Sequence, residues 1–231
     1  MENESILYKN NSLQKKITKT IVLFGLNGVG KTTLLLQLTK NRFENKYQTT
    51  IGVNFYMKEF ENITLSIWDT CGDEMEMQIL PPHLYKQSSC FILVCSYNSI
   101  ESLNSINNFI EYIKSHIEKV KNKKKKNFIA LINKSDCKDK KFNLEFAFRI
   151  LRENNPNILV AEISSKNSED VLEFFNKICD LLEDREEFNY KYSNITLNDS
   201  QNRRRGNTIF YSGGFKINNH KNDDKINKKC C

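Results

Sequence analysis

No stretch of this 231-residue chain approaches the ~18 apolar residues that a membrane-spanning helix needs. A helical span is therefore not expected. Met1 to Lys16 is polar and has no apolar core of the kind a secretory signal carries. With Glu at residue 2, N-myristoylation is not expected. Histidine is scarce, only His83, His116 and His220, and none is spaced with a cysteine pair as a zinc finger requires. The seven cysteines, Cys71, Cys90, Cys95, Cys137, Cys179, Cys230 and Cys231, are odd in number. Most sit in apolar runs, where a free thiol behaves as a small hydrophobe, and a reducing compartment is the simplest expectation. Sequons such as Asn62-Ile63-Thr64 carry little weight where no signal segment is expected. No internal repeat is visible.

Charge is present but uneven. The net charge is +7, and residues 186–231 hold nine Lys/Arg against five Asp/Glu, a surplus of four. A second basic cluster is Lys119 to Lys126. Two local clusters suit an anionic membrane surface at least as well as nucleic acid, and no nucleic-acid partner is expected. The run Lys121 to Lys126 reads as a solvated loop, with phosphoinositide or partner contact as the alternative.

The chain is organised around Gly25-Leu26-Asn27-Gly28-Val29-Gly30-Lys31-Thr32, which fits G-x-x-x-x-G-K-[ST]. Glycines let backbone N–H groups wrap a triphosphate, the lysine reaches the outer phosphates, and the hydroxyl binds Mg²⁺. This chemistry needs a strand before the loop and a helix after it. Ile21 to Phe24 is an apolar, β-branched run, and Leu34, Leu35 and Leu38 recur at helical spacing. By itself the loop could serve ATP, GTP or a kinase reaction.

The remaining pattern predicts a strand–helix, a hairpin (Val53 to Glu61 and Ile63 to Asp69), and then three strand–helix units. Thr70 to Gln87 reads as a loop with a helix broken at Pro81-Pro82. Cys90 to Ser96 and Asn127 to Ile132 are continuous apolar runs, suited to strands buried on both faces of a parallel sheet. Helices are predicted over 101–120, 143–153 and 168–183, the last with Ser168 and Asp170 as cap candidates. A last strand is expected over 157–163. The expected fold is α/β, with a six-stranded, mostly parallel sheet and helices on both faces. Residues 1–15 read as a flexible arm, 16–184 as one domain, and 185–231 as a disordered tail poor in apolar residues.

Three further motifs lie just after predicted strands, where ligands bind on such sheets. Asp69, in Trp68-Asp69-Thr70-Cys71-Gly72, can hold Mg²⁺, and Gly72 lets a backbone N–H approach the terminal phosphate. Asp136, in Asn133-Lys134-Ser135-Asp136, can accept hydrogen bonds from the N1–H and 2-amino groups of guanine. Adenine lacks both donors, and sites built on such bonds reject the wrong ligand by ~10⁴ or more. The stem of Lys134 can lie over the base. A backbone N–H at Ser165, in Ser164-Ser165-Lys166, could bond the guanine O6.

These motifs stand in the order and spacing of Ras-like small GTPases, and the chain resembles that family over about residues 17–183. Within it, Thr50-Ile51-Gly52-Val53-Asn54-Phe55, Ser66 to Thr70 and the terminal Cys230-Cys231 resemble Rab proteins. The resemblance implies the three-layer P-loop fold and a GTP/GDP switch that hydrolyses GTP and recruits effectors in vesicle traffic. Gly28, Val29, Gly30, Lys31 and Thr32 would hold the phosphates, and Thr33 would offer a backbone N–H to the α-phosphate. Phe43 would stack near the guanine and Tyr47 would lie across the phosphates. Thr32, Thr50 and Asp69 would serve Mg²⁺, with Thr50 engaged only in the GTP state. Ile51, Val53, Phe55 and Trp68 would form the surface read by effectors. Cys230 and Cys231 would carry lipids, placing a monomer on the cytoplasmic face of an intracellular membrane and cycling it with cytosol. An exchange factor, a GTPase-activating protein and a dissociation inhibitor would regulate it.

The departures are at the reaction centre. Asp73 stands where the family has the glutamine that orients the attacking water, so slow hydrolysis is expected. Asn27, at a position often Gly or Ser, adds bulk near that water. The segment Met75 to Pro82 also departs from the Rab pattern. A non-hydrolysing, GTP-bound scaffold on membranes is the alternative reading.

Overall fold

A computed structural model of the chain describes residues 16–44, 49–72, 80–118, 126–183 and 210–211. The elements run β1 (Ile17–Phe24), α1 (Lys31–Lys40), β2 (Val53–Glu59), β3 (Ile63–Thr70), α2 (Pro82–Gln87), β4 (Ser88–Ser96), α3 (Ile100–Glu118), β5 (Asn127–Asn133), α4 (Leu144–Asn154), β6 (Leu159–Glu162), α5 (Ser168–Leu182) and β7 (Phe210–Tyr211). They build one sheet in the order β2-β3-β1-β4-β5-β6-β7. The hairpin strands β2 and β3 pair antiparallel, and the neighbours from β3 through β1, β4 and β5 to β6 are parallel.

The strand alternation explains the three layers. In β1, Ile21 and Leu23 point to one face, and Val22 and Phe24 to the other. In β4, Cys90, Ile92 and Val94 share the first face, while Phe91, Leu93 and Cys95 share the second, and all six are fully buried. Helices α1 and α5 cover the first face through Leu34, Leu35, Leu38, Phe174, Phe175 and Ile178. Helices α3 and α4, with the short α2, cover the second through Ile106, Phe109, Phe148, Leu84 and their neighbours. Burying side chains of this size contributes roughly 1.5–3 kcal/mol each, so β4 and β5 carry unbroken apolar runs, Cys90–Cys95 and Phe128–Ile132, rather than apolar residues at every second position.

Several details differ from the sequence reading. Helix α5 is capped by Asn167, not Ser168 or Asp170: Asn167 Oδ1 accepts from Glu169 N at 3.0 Å, and Asn167 Nδ2 donates to Asp170 Oδ1 at 2.9 Å. Pro82 opens α2 at a first-turn position, where its missing N–H is harmless. Lys126 ends the basic run tied to the protein, with its ammonium donating to the carbonyls of Lys86 and Ser88 at 2.6 Å each. Residues 121–125 lie outside the described residues.

The sheet also has a seventh strand. Phe210 and Tyr211 pair antiparallel with Ala161 and Val160 of β6, within the tail expected to be wholly disordered. The physical reason is local: β6 would otherwise be a bare sheet edge, and Thr208 to Tyr211 is a β-branched and aromatic run in an otherwise polar tail.

Candidate functional site

The site forms where the parallel strands end. Gly25 to Gly30 turns from β1 into α1, and Lys31 is the first residue of the helix. Gly30 takes φ +101°, and a Cβ there would stand 2.4 Å from Asn133 Nδ2. Only glycine suits both conditions. Lys31 is 5% exposed, and its ammonium donates to the carbonyls of Gly25 at 2.7 Å and Leu26 at 3.2 Å. Burial lowers its pKa to about 8, against the partly compensating pull of Asp69 and Cys71.

Three oxygen-bearing side chains converge beside it. Thr32 Oγ1 donates to Asp69 Oδ2 at 2.6 Å, and the Thr50 hydroxyl lies 2.6 Å from Thr32 Oγ1. Asp69 is fully buried at the end of β3, and its Oδ1 has no hydrogen-bond partner among the described residues. Burial raises the carboxyl's pKa, and the Thr32 hydrogen bond and Lys31 act against that. A buried, unpaired carboxylate oxygen is costly unless something takes its lone pairs. Two hydroxyls and this carboxylate are the donor set a hard divalent cation accepts, and they fit Mg²⁺. No group of three His, Cys, Asp or Glu side chains able to hold a metal occurs among the described residues.

The turn after β5 closes the other end. Asn133 Nδ2 donates to Val29 O at 2.9 Å, while Asn133 Oδ1 accepts from Lys134 N, Ser165 N and Ser165 Oγ at 2.7, 3.0 and 2.9 Å. The Ser165 N–H, expected to face a base carbonyl, is thus used within the protein. Lys134 sits at φ +59°, and its ammonium donates to Gly28 O at 2.7 Å. Its pKa is lowered, mainly by burial. Asp136 Oδ1 accepts from Ser164 Oγ and Oδ2 from Lys166 Nζ, both at 2.7 Å. Burial pushes the Asp136 carboxyl up, but the hydrogen bonds from Lys166 and Ser164 outweigh it and leave the pKa lowered. Each oxygen keeps a further lone pair for a ligand. Lys166 Nζ also lies 5.7 Å from the centre of the Phe43 ring.

One cavity of about 860 Å³ joins these parts, lined by Gly28, Gly30, Lys31, Thr32, Thr33, Phe43, Thr50, Gly72, Asn133, Lys134, Asp136, Ser165 and Lys166. Its size suits a drug-sized or larger ligand. Asp69 reaches it through Thr32, and Ser164 through Asp136. Val29 is buried and contributes its carbonyl to Asn133. Tyr47, Asp73, Cys230 and Cys231 lie outside the described residues. The sequence missed several wall residues, among them Leu36, Glu44 and Lys138, which belong to no motif. It also missed the bond from Gly72 N to Asn27 Oδ1, 3.0 Å long.

Comparison with known proteins follows the same lines. The sequence model of the Ras family matches residues 20–184. Over 104 residues the chain is 41% identical to the Ras-related protein Rab7 of Pisum sativum, covering 43% of this chain and 50% of that protein. The Ras-related protein RABG3f of Arabidopsis thaliana gives the same identity and coverage. RABG3d of Arabidopsis thaliana is 36% identical over 104 residues, again 43% and 50% of the two chains. The chain thus spans about half the length of the curated relatives it matches.

Proposed function

Because this chain belongs to the Ras family, we propose that it is a Rab-like GTP/GDP switch that binds guanine nucleotide with Mg²⁺, hydrolyses GTP slowly and recruits effectors in membrane traffic. One observation carries the reading: a single cavity joins the Gly25–Thr32 loop to the Asp136 carboxylate, and Asn133, from the same turn as Asp136, bonds to the loop at Val29. The loop suits phosphates, and a carboxylate already held by Ser164 and Lys166 suits the two donors of guanine. Thr32, Thr50 and Asp69 would hold Mg²⁺, which when bound neutralises charge on the phosphate oxygens.

The switch follows from which residues touch the terminal phosphate. Lys31 must exchange its loop carbonyls for phosphate oxygens, and burial makes its charge cheap to pair there. Thr50 and Gly72 approach from two separate segments, so losing the terminal phosphate removes one contact from each. Ile51 and Phe55 beside them are exposed, and the Phe55 and Trp68 rings pack at 5.1 Å between centroids. This apolar surface is the part effectors would read, under an exchange factor, a GTPase-activating protein and a dissociation inhibitor.

Asp73 sets the rate. A carboxylate cannot donate a hydrogen bond to a phosphate oxygen and repels it when ionised. Intrinsic hydrolysis is slow for this reason, and Asp73→Gln should speed single-turnover GTP cleavage. Equal rates in the two proteins would remove Asp73 from the account. Nucleotide released from the purified chain gives the resting state: GDP fits turnover, whereas retained GTP favours a non-hydrolysing scaffold.

The membrane part rests on Cys230-Cys231 and the basic tail. Among the described residues no helix is long and apolar enough to cross a membrane. Two lipid chains anchor stably where one is marginal. Replacing both cysteines by serine should move the protein to the cytosolic fraction, and retention on membranes would refute the anchor.

A further inference from the structure

Gly72 lies hard against the phosphate loop. A Cβ on it would fall 2.1 Å from Asn27 N and 2.4 Å from Leu26 C, so no other residue could come this close without displacing the loop. The residue is buried, and a buried N–H needs an acceptor. It has one in Asn27 Oδ1, at 3.0 Å. Asn27 lines the nucleotide cavity, and its own residue is exposed.

We infer that the Asn27 carboxamide is a built-in competitor for the Gly72 N–H, occupying the donor that a terminal phosphate would use and so lowering the preference for triphosphate over diphosphate. The inference rests on reading the cavity as a guanine-nucleotide site.

Two acceptors compete for one donor. If residue 27 had no side-chain oxygen, the Gly72 N–H would be without a protein acceptor whenever the terminal phosphate is gone. Docking Gly72 on the loop would then depend on that phosphate. Here the loop supplies the acceptor itself, two residues after its first glycine, and Gly72 is docked without any ligand. A triphosphate must first displace Asn27. It gains only the difference between a charged and a neutral acceptor, instead of the whole bond. Discrimination between the two nucleotides is thereby shifted from Gly72 towards Thr50, which comes from a different segment. Asn27 is a specificity-determining residue: it acts through Gly72 on the choice between triphosphate and diphosphate.

The test uses the full chain with Mg²⁺ and measures dissociation constants for GDP and for a non-hydrolysable GTP analogue. Asn27→Ala should raise the ratio of analogue affinity to GDP affinity about fivefold, the usual worth of one hydrogen bond. A second measurement reads the bond directly. In the GDP-bound protein, the Gly72 amide resonance should move upfield and exchange faster in Asn27→Ala, and adding the analogue should restore its protection. An unchanged affinity ratio overturns the inference, as does a Gly72 amide indifferent to the substitution. If the wild-type chain binds no guanine nucleotide, the reading of the cavity itself falls, and the inference with it.

Discussion

The Asn133 carboxamide meets three segments: the phosphate loop at Val29, its own turn at Lys134, and the loop after β6 at Ser165. The partners at Val29 and Ser165 are far away in sequence, so no local pattern discloses them. The motif residues themselves were legible, because Lys31, Thr32, Asp69 and Asp136 each sit at a fixed offset from the end of a strand. What they bond to was not, since an unpaired Oδ1 on Asp69 or an Asn27–Gly72 bond exists only after the chain has folded. Asp136 allows a test at this scale. Its folded pKa lies below the ordinary carboxylate value because Lys166 and Ser164 outweigh burial. The folded state therefore favours the ionised form. That stability is complete above the ordinary value of about 4 and is lost as pH falls through the lower, folded value. Removing the ammonium with Lys166→Met should lower the denaturation midpoint at pH 7, and the gap between variant and wild type should close as pH falls below about 4. A gap that stays constant across this range would show that the ion pair does not set the Asp136 pKa.

Elements with a strong period were read correctly in kind and nearly in extent. The run Cys90 to Ser96 falls within β4, and Leu103 through Ile113 lie on the buried stripe of α3. The failures are at ends and edges, where a single side chain or neighbour decides. At α5, Asn167, Ser168 and Asp170 all favour caps by residue type, and the geometry selects Asn167, with φ −90° and an Oδ1 bond to Glu169 N. Asn167→Ala should cost about 1 kcal/mol of folding stability in chemical denaturation, and Ser168→Ala much less. The opposite order would return the cap to Ser168. Strand β7 was illegible for another reason. Two residues cannot stand as a strand alone, and their pairing follows from the open edge of β6, a property of the assembled sheet.

At the scale of the whole molecule, the site is a consequence of topology. Strands β1, β3, β5 and β6 end on the same side of the sheet, so Gly25, Asp69, Asn133 and Ser164 arrive together although they span 140 positions of sequence. The sheet thus turns four local motifs into one cavity, which would make base and phosphate recognition parts of a single site. Every role assigned to these residues depends on that union. It is tested most directly by displacing a fluorescent GDP from the purified chain, with Mg²⁺ present, using GDP, GTP and ATP. GDP and GTP should compete, and ATP should be weaker by roughly 10⁴-fold, the discrimination expected of a site built on hydrogen bonds to the base. Equal competition by ATP, or no competition by GTP, would contradict it.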